Sequence, residues 1–248
     1  MSIHPEKIKV IGFDADDTLW INEPYYRESE EQFCRLLKKY SSEENTMRRL
    51  LEIEIGNLEL YGYGTKAFML SMMETAVSVS AGKVTAAEIA QIIELGKAQI
   101  NRKNDLLPGV IEVLTALSPH FRLIVATKGD LLDQERKLSN SGIARFFHHI
   151  EIMSHKKEEN YRKLLSHLDI PAGRFLMIGN SLKSDVLPVV NLGGYAIHVP
   201  YHITWFHEEV HPDQVPRSRF LSVSSLAGVL PALGIPSSAK NEDHHQSD

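Results

Sequence analysis

The sequence predicts an α/β protein with a doubly wound parallel sheet and an inserted α-helical subdomain. Three observations lead to this fold class. A short apolar strand covers residues 8–13, a long segment with helical spacing of apolar residues follows it, and from residue 107 onward helices alternate with apolar strands. Such alternation is typical of parallel sheets whose strands are connected by helices.

The first strand, residues 8–13, is a mostly apolar run, interrupted by Lys9, that ends abruptly in acidic residues. A short apolar run bounded by polar residues is consistent with a buried strand of a parallel sheet. Four more such runs are found later in the chain. They cover residues 121–126, 149–153, 175–178 and 195–199.

The helical insertion is predicted over residues 21–105, with helices at 24–39, 43–55, 66–77 and 85–100. Thr85 with Glu88 three residues later is the pattern of a capping box. The remaining residues, 1–20 and 106–236, would form one Rossmann-like core. Helices within it are expected at 110–117, 131–141, 159–168 and 185–192. The polar segment 237–248 is expected to be a disordered tail.

The end of the first strand carries Asp14 and Asp16, followed by Thr18. Two carboxylates this close repel each other unless a cation lies between them or one of them is protonated. Mg²⁺ prefers oxygen ligands of this kind. The alternative is an acidic turn that only ends the strand and begins the next helix.

Three other strand ends carry polar residues as well. Thr127 and Lys128 follow the second predicted strand, Lys156 and Lys157 follow the third, and the segment 179–185 follows the fourth. Ligands of α/β proteins bind beyond the carboxyl ends of parallel strands. Two acids, a hydroxyl, a cation and an amide with another acid could together hold Mg²⁺ and a phosphate.

These strand ends resemble the four motifs of the haloacid dehalogenase superfamily of hydrolases, and the resemblance extends to about residue 210. The first motif, Asp-x-Asp-x-Thr, is matched by Asp14, Asp16 and Thr18, and the second by Thr127. The fourth is matched by the segment 179–185. The resemblance implies a Rossmann-like core and, between the first and second motifs, a helical cap.

The resemblance also implies catalytic roles. Asp14 would be the nucleophile, Asp16 the general acid and base, and Thr127 and the third-motif lysine would bind the phosphoryl oxygens. Lys128 is a further candidate for binding substrate. The motif lysine is Lys156 or Lys157, and its spacing from the aromatic residue of the next helix favours Lys156.

The metal site implied by the resemblance consists of Asp14, the backbone carbonyl of Asp16, Asp185 and Asn180. The family often has an Asp where Asn180 stands. An amide oxygen can bind Mg²⁺ but brings no charge, so Asp185 is the better candidate. Asp17 occupies a position where the family commonly has Gly.

We therefore expect a Mg²⁺-dependent phosphatase that hydrolyses a small phosphate monoester. A 2-haloacid dehalogenase is the nearest alternative, but that branch lacks the second carboxylate, here Asp16, and needs no Mg²⁺. A phosphotransferase such as a mutase would share every motif residue. A non-catalytic regulatory protein could retain the fold.

Composition restricts the partners. The formal net charge of −5 argues against nucleic acid, whose binding surfaces need a basic excess. Cys34 is the sole cysteine, so an intrachain disulfide is impossible and a reducing cytoplasm is expected. No signal peptide is recognisable, and no apolar run approaches the ~18 residues that a membrane span needs.

Overall fold

The computed structural model describes residues 3–202, 210 and 218–236, and the chain forms two compact units. The first, here called the core unit, comprises Met1–Ile21, Asp105–Thr127 and Ser141–Asp248. The second, the helical unit, comprises Asn22–Asn104 and Lys128–Asn140.

A six-stranded parallel sheet forms the centre of the core unit, in the order β3-β2-β1-β4-β5-β6. Its strands are β1 (Val10–Phe13), β2 (Arg122–Lys128), β3 (Ile150–Met153), β4 (Phe175–Gly179), β5 (Tyr195–His198) and β6 (Phe220–Ser222). The predicted α/β class with a parallel sheet is confirmed. In β1 and β4 every residue is buried, which explains why these strands are continuous apolar runs.

The three-residue strand β6 was not predicted. It pairs in parallel with β5, and Ala196 faces Phe220 in the register. A strand this short has too few residues for a recognisable pattern. Its pairing partner rather than its own sequence defines it.

In the described part of the core unit, four α-helices connect or flank the strands. They are α5 (Val110–Leu117), α7 (Glu158–His167), α8 (Leu187–Asn191) and α9 (Val229–Ala232). The helix expected over 185–192 differs, because a π-helical turn, Leu182–Val186, precedes a shorter α8. Tyr161 of α7 and Phe175 of β4 belong to the buried core on one side of the sheet.

The helical unit contains α1 (Glu23–Leu37), α2 (Glu43–Tyr61), α3 (Thr65–Val79), α4 (Ala86–Ile100) and α6 (Leu131–Asn140). Its core packs Phe33, Leu50, Met72 and Ile92, all fully or almost fully buried. The capping box of Thr85 and Glu88 is present. Helix α2 extends six residues beyond the predicted end. It stops at Gly62, whose φ of 70° lies in the left-handed region that favours glycine.

Helix α6 is grouped differently from the sequence-based expectation, which assigned it to the core. Lys66 forms an ion pair with Asp130 at 2.8 Å, and Asn104 Nδ2 donates to the Lys137 carbonyl at 2.7 Å. Lys137 Nζ in turn donates to Asn22 Oδ1 at 3.0 Å. These polar contacts attach α6 and the segment before it to the helical unit.

The expected tail, residues 237–248, lies outside the described residues. Within the described part of the chain, no helix is long and apolar enough to cross a bilayer.

Candidate active site

The candidate site lies where the order of the strands reverses. Strands β2 and β3 lie on one side of β1 in the strand order, and β4, β5 and β6 lie on the other side. Strands β1 and β4 are neighbours, with Phe13 paired to Ile178. The carboxyl ends of strands at such a switch point commonly form a ligand-binding crevice. Asp14 follows β1 directly, and Asn180 follows β4.

The first acidic residue, Asp14, is held against the end of β4. Its backbone N–H donates to the Ile178 carbonyl at 2.8 Å, and its side chain is largely buried. The Thr18 hydroxyl oxygen lies 3.3 Å from Asp14 Oδ2 and 3.4 Å from Asn180 Oδ1. Thr18 therefore links residues of the first and fourth motifs.

Lys156 is the lysine that the structure brings to these acids. Its ammonium donates to Asp14 Oδ1 and, at 2.6 Å, to Asp185 Oδ1. The side chain is almost completely buried, whereas Lys157 is exposed. Of the two neighbouring lysines, Lys156 is therefore the one whose side chain contacts the predicted acids.

Asp185 reaches the site from the π-helical turn. Its Oδ2 accepts a hydrogen bond from the backbone N–H of Ser181 at 3.0 Å. A Cβ atom on Gly179 would lie 2.2 Å from the same Oδ2. Residue 179 must therefore be glycine for the carboxylate to approach the end of β4.

Asp16 is oriented by a residue that the sequence reasoning did not single out. The indole Nε1 of the fully buried Trp20 donates to Asp16 Oδ1 at 2.7 Å. Between them, Asp17 has a φ of 58°. That left-handed conformation explains the common Gly at this position in the family, since Gly adopts it without strain and Asp tolerates it better than most residues.

Burial and neighbouring charges control the protonation of the cluster. Burial raises the pKa of Asp14 to about 7, and Asp185 and Asp16 act in the same direction while Lys156 opposes them. For Lys156, burial lowers the pKa, but the carboxylates of Asp14 and Asp185 outweigh it and raise the pKa to about 12. Lys156 is consequently a cation at neutral pH.

The donor set fits a hard cation. Asp14 and Asp185 converge on one ammonium, so two buried carboxylates share a single cation. Among the described residues, no three His, Cys, Asp or Glu side chains form a metal-binding group. Mg²⁺ commonly takes one or two carboxylates and completes its octahedron with water and other oxygens. Two carboxylates with the Asn180 amide and a backbone carbonyl suit it.

Thr127 and Lys128 end strand β2. Thr127 is almost completely buried, two residues beyond the Val125–Phe13 pair and at the same edge of the sheet as Asp14. Lys128 belongs to the helical unit, and its ammonium lies 4.5 Å from the centroid of the Tyr63 ring. Lys128 therefore contacts an aromatic ring, and this contact was not predicted from the sequence.

His198 is a second residue that the sequence reasoning missed. Its Nε2 lies 2.9 Å from the backbone carbonyl of Asn180, and its Nδ1 lies 3.3 Å from Ser222 Oγ. Burial lowers the pKa of the imidazole, although hydrogen bonding to the Asn180 carbonyl and the charge of Asp185 oppose this. The available signal was its position at the carboxyl end of a predicted strand.

Comparison with known proteins identifies the family. The family model for haloacid dehalogenase-like hydrolases matches residues 8–193. The crystal structure of a haloacid dehalogenase-like family hydrolase from Xanthomonas campestris is 37% identical in sequence, with a TM-score of 0.80 and 92% of each chain covered.

More distant structures share the fold. A predicted phosphoglycolate phosphatase from Haemophilus somnus is 18% identical with a TM-score of 0.59, covering 91% of this chain and 97% of its own. A 2-haloacid dehalogenase from Pseudomonas syringae is 17% identical with a TM-score of 0.60, covering 92% and 98%. None of the curated proteins compared matches the sequence.

Proposed function

The chain belongs to the haloacid dehalogenase-like hydrolase family, and we propose that within this family it is a Mg²⁺-dependent phosphatase. The substrate would be a small phosphate monoester, hydrolysed through an aspartyl-phosphate on Asp14. Fold similarity extends to a dehalogenase as well as a phosphatase. The choice between them therefore rests on the side chains of the site.

One observation supports the phosphatase most strongly: a second carboxylate, Asp16, oriented by Trp20. The indole donates to Asp16 Oδ1 at 2.7 Å and so fixes the orientation of a titratable carboxyl group at the end of β1. A phosphatase needs such a group to protonate the leaving alkoxide and then to deprotonate the attacking water. The family resemblance implies that 2-haloacid dehalogenases lack this carboxylate.

Asp14 would attack phosphorus and form the covalent intermediate, which water then hydrolyses. Lys156 holds Asp14 Oδ1, whereas Oδ2 has the longer contact of 3.3 Å with Thr18. We assign the attack to Oδ2, because its lone pairs are less engaged. Thr18 keeps the carboxylate oriented.

The phosphoryl oxygens would be bound by Thr127 and Lys156. An ammonium has three donors, and Lys156 uses two of them for Asp14 and Asp185. Its third N–H can donate to the phosphoryl group. Charge that spreads over the equatorial oxygens in the transition state would be stabilised there.

Asp14, Asp185, the backbone carbonyl of Asp16 and Asn180 would hold Mg²⁺. When bound, the cation neutralises charge that would otherwise repel an anionic ester from an anionic nucleophile. The two buried carboxylates that share the single ammonium of Lys156 support this assignment.

The direct test is hydrolysis of an aryl phosphate with Mg²⁺ or with excess chelator, in parallel with halide release from a 2-haloacid. We expect phosphate release that requires Mg²⁺ and stops in Asp14→Asn. Halide release without phosphate release would favour the dehalogenase. Phosphate transfer to added alcohols faster than to water would favour the phosphotransferase.

The cellular setting is proposed on composition. The single buried cysteine is compatible with a reducing cytoplasm, and the net negative charge gives no support for nucleic acid as a partner. A small phosphate ester needs only the local positive charge of residues such as Lys156.

A further inference from the structure

The peptide unit between Asn180 and Ser181 is held at both ends. Its carbonyl oxygen lies 2.9 Å from His198 Nε2, and its N–H donates to Asp185 Oδ2 at 3.0 Å. In a trans peptide the C=O and N–H bonds point in opposite directions. Fixing the direction of the carbonyl therefore also fixes the direction of the N–H.

From this geometry we propose that His198 is a positioning residue that aims the Ser181 N–H at Asp185. A carbonyl oxygen can only accept, so His198 Nε2 carries the hydrogen in this contact. In the neutral ring, Nδ1 is then an acceptor, and the Ser222 hydroxyl can donate to it. The proposal does not depend on a change in the charge of the ring.

The strands supply the rigidity that this role needs. His198 is the last residue of β5 and pairs with Gly179 of β4 and with Ser222 of β6. The Val199 N–H donates to the Gly179 carbonyl at 2.9 Å. The imidazole therefore projects from the paired end of the sheet beside the turn that carries Asn180.

The effect reaches the candidate catalytic residues through contacts already described. The Ser181 N–H orients Asp185, Asp185 accepts from Lys156, and Lys156 donates to Asp14. Removing the His198 donor would allow the peptide to rotate and Asp185 to lose its only described backbone N–H partner. Loss of a hydrogen bond to a metal-ligating group typically lowers metal affinity or activity by roughly 10–100-fold.

The test uses two variants of matched chemistry, His198→Gln and His198→Asn. The glutamine amide can place a donor near the position of Nε2, whereas the asparagine amide is one methylene shorter and reaches only the position of Nδ1. Ser222→Ala is the control, because it removes the Nδ1 partner and leaves the Nε2 donor. Thermal unfolding verifies that each variant is folded.

The first measurement is independent of activity. In protein selectively labelled with ¹⁵N-serine and free of metal, we expect the Ser181 amide proton to shift upfield in His198→Asn. It should stay near its wild-type position in His198→Gln and Ser222→Ala. A Ser181 resonance that moves equally in the glutamine and asparagine variants, or in neither, would overturn the proposal.

A wild-type measurement covers the case in which a variant does not fold. A long-range ¹H–¹⁵N spectrum of the histidine rings should find hydrogen on Nε2 of His198, and a ring protonated only on Nδ1 would overturn the proposal. The kinetic arm rests on the proposed function. In His198→Asn the Mg²⁺ concentration for half-maximal activity should rise roughly 10–100-fold, with KM for the ester less affected. If the wild type hydrolyses no phosphate ester, the proposed function is wrong. The two spectroscopic measurements would still test the positioning role of His198.

Discussion

Lys156 donates a hydrogen bond to Asp185 at 2.6 Å between two side chains that are each only 1% exposed. The same ammonium contacts Asp14, so one cation compensates two buried carboxylates. Removing one partner of a buried ion pair leaves an uncompensated charge in a medium of low dielectric.

Lys156→Met should reduce kcat by roughly 10²–10³-fold, the usual loss for one donor to a developing oxyanion. It should also lower the free energy of unfolding by about 3–5 kcal/mol in chelator, because Asp14 and Asp185 lose their cation. Added Mg²⁺ should restore part of this stability by supplying positive charge. Steady-state kinetics and chemical unfolding measure the two effects.

Lys157→Met is the matched control, since Lys157 is the exposed neighbour of Lys156 in the chain. We expect its activity and stability to remain close to those of the wild type. If the loss occurred in Lys157→Met and not in Lys156→Met, the assignment of the motif lysine would be reversed.

Gly179→Ala should impair the site through Asp185. The new Cβ would lie 2.2 Å from Asp185 Oδ2, so the carboxylate has to move. A displacement of about 1 Å in a catalytic group can cost roughly 100-fold in rate. Activity at saturating Mg²⁺ is the measurement.

Gly56→Ala is the control for that substitution. Gly56 lies within α2, and a Cβ there meets nothing within 4 Å. Alanine in an open helical position should raise stability by about 0.5–1 kcal/mol and leave activity unchanged. Equal activity losses in both alanine variants would contradict the role given to the close approach at Gly179.

The helical unit should lose stability as the pH rises, because of Glu54 on α2. Burial raises the pKa of Glu54 from 4.5 to about 8, and the charges of Glu30 and Glu23 add to this while Arg27 opposes it. A raised carboxyl pKa means that the folded state binds the proton more tightly. Its contribution is therefore fully present below pH 4.5 and is lost as the pH rises towards about 8.

Glu54→Gln should flatten this dependence and raise the unfolding temperature above that of the wild type at the alkaline end of the range. Glu59→Gln, at an exposed position of the same helix, should follow the wild type. Thermal unfolding across this pH range measures the difference. If the unfolding temperatures of the wild type and Glu54→Gln changed in parallel with pH, the raised pKa of Glu54 would be contradicted.

The sequence predicted the sheet well because its central strands are buried on both faces. Residues 175–178 were predicted as a strand, and the observed β4 differs only by the additional Gly179. The helices of the insertion were found for a different reason, since each buries one face and therefore has apolar residues at helical spacing. The ends were less certain, and the left-handed Gly62 rather than hydrophobic spacing ends α2.

The site was predictable as a set of strand ends but not as a set of contacts. Asp14 and Asp185 are far apart in the chain, and the spacing that favours Lys156 over Lys157 does not reveal that its ammonium contacts both acids. Trp20 and His198 were missed because neither a buried indole nor a half-buried imidazole has a sequence pattern of its own. Their importance follows from the hydrogen bonds to Asp16 and Asn180.

Asp16→Asn should separate the two chemical steps of the proposed mechanism. The asparagine oxygen can still accept from Trp20, so the fold should be retained. We expect kcat to fall by roughly 10²–10⁴-fold for alkyl esters, the usual loss of general acid–base catalysis. For nitrophenyl phosphate, the rate of the first step, in which the phospho-enzyme forms, should fall less, because this leaving group needs no proton.

The most direct test of the central claim is the intact mass of Asp16→Asn after mixing with nitrophenyl phosphate and Mg²⁺. Because water is no longer activated, the covalent intermediate should accumulate as one added phosphoryl group, and peptide mapping should locate it on Asp14. Asp14→Asn in the same background should give no adduct. Continued turnover without an adduct, or an adduct on another residue, would contradict the aspartyl-phosphate mechanism.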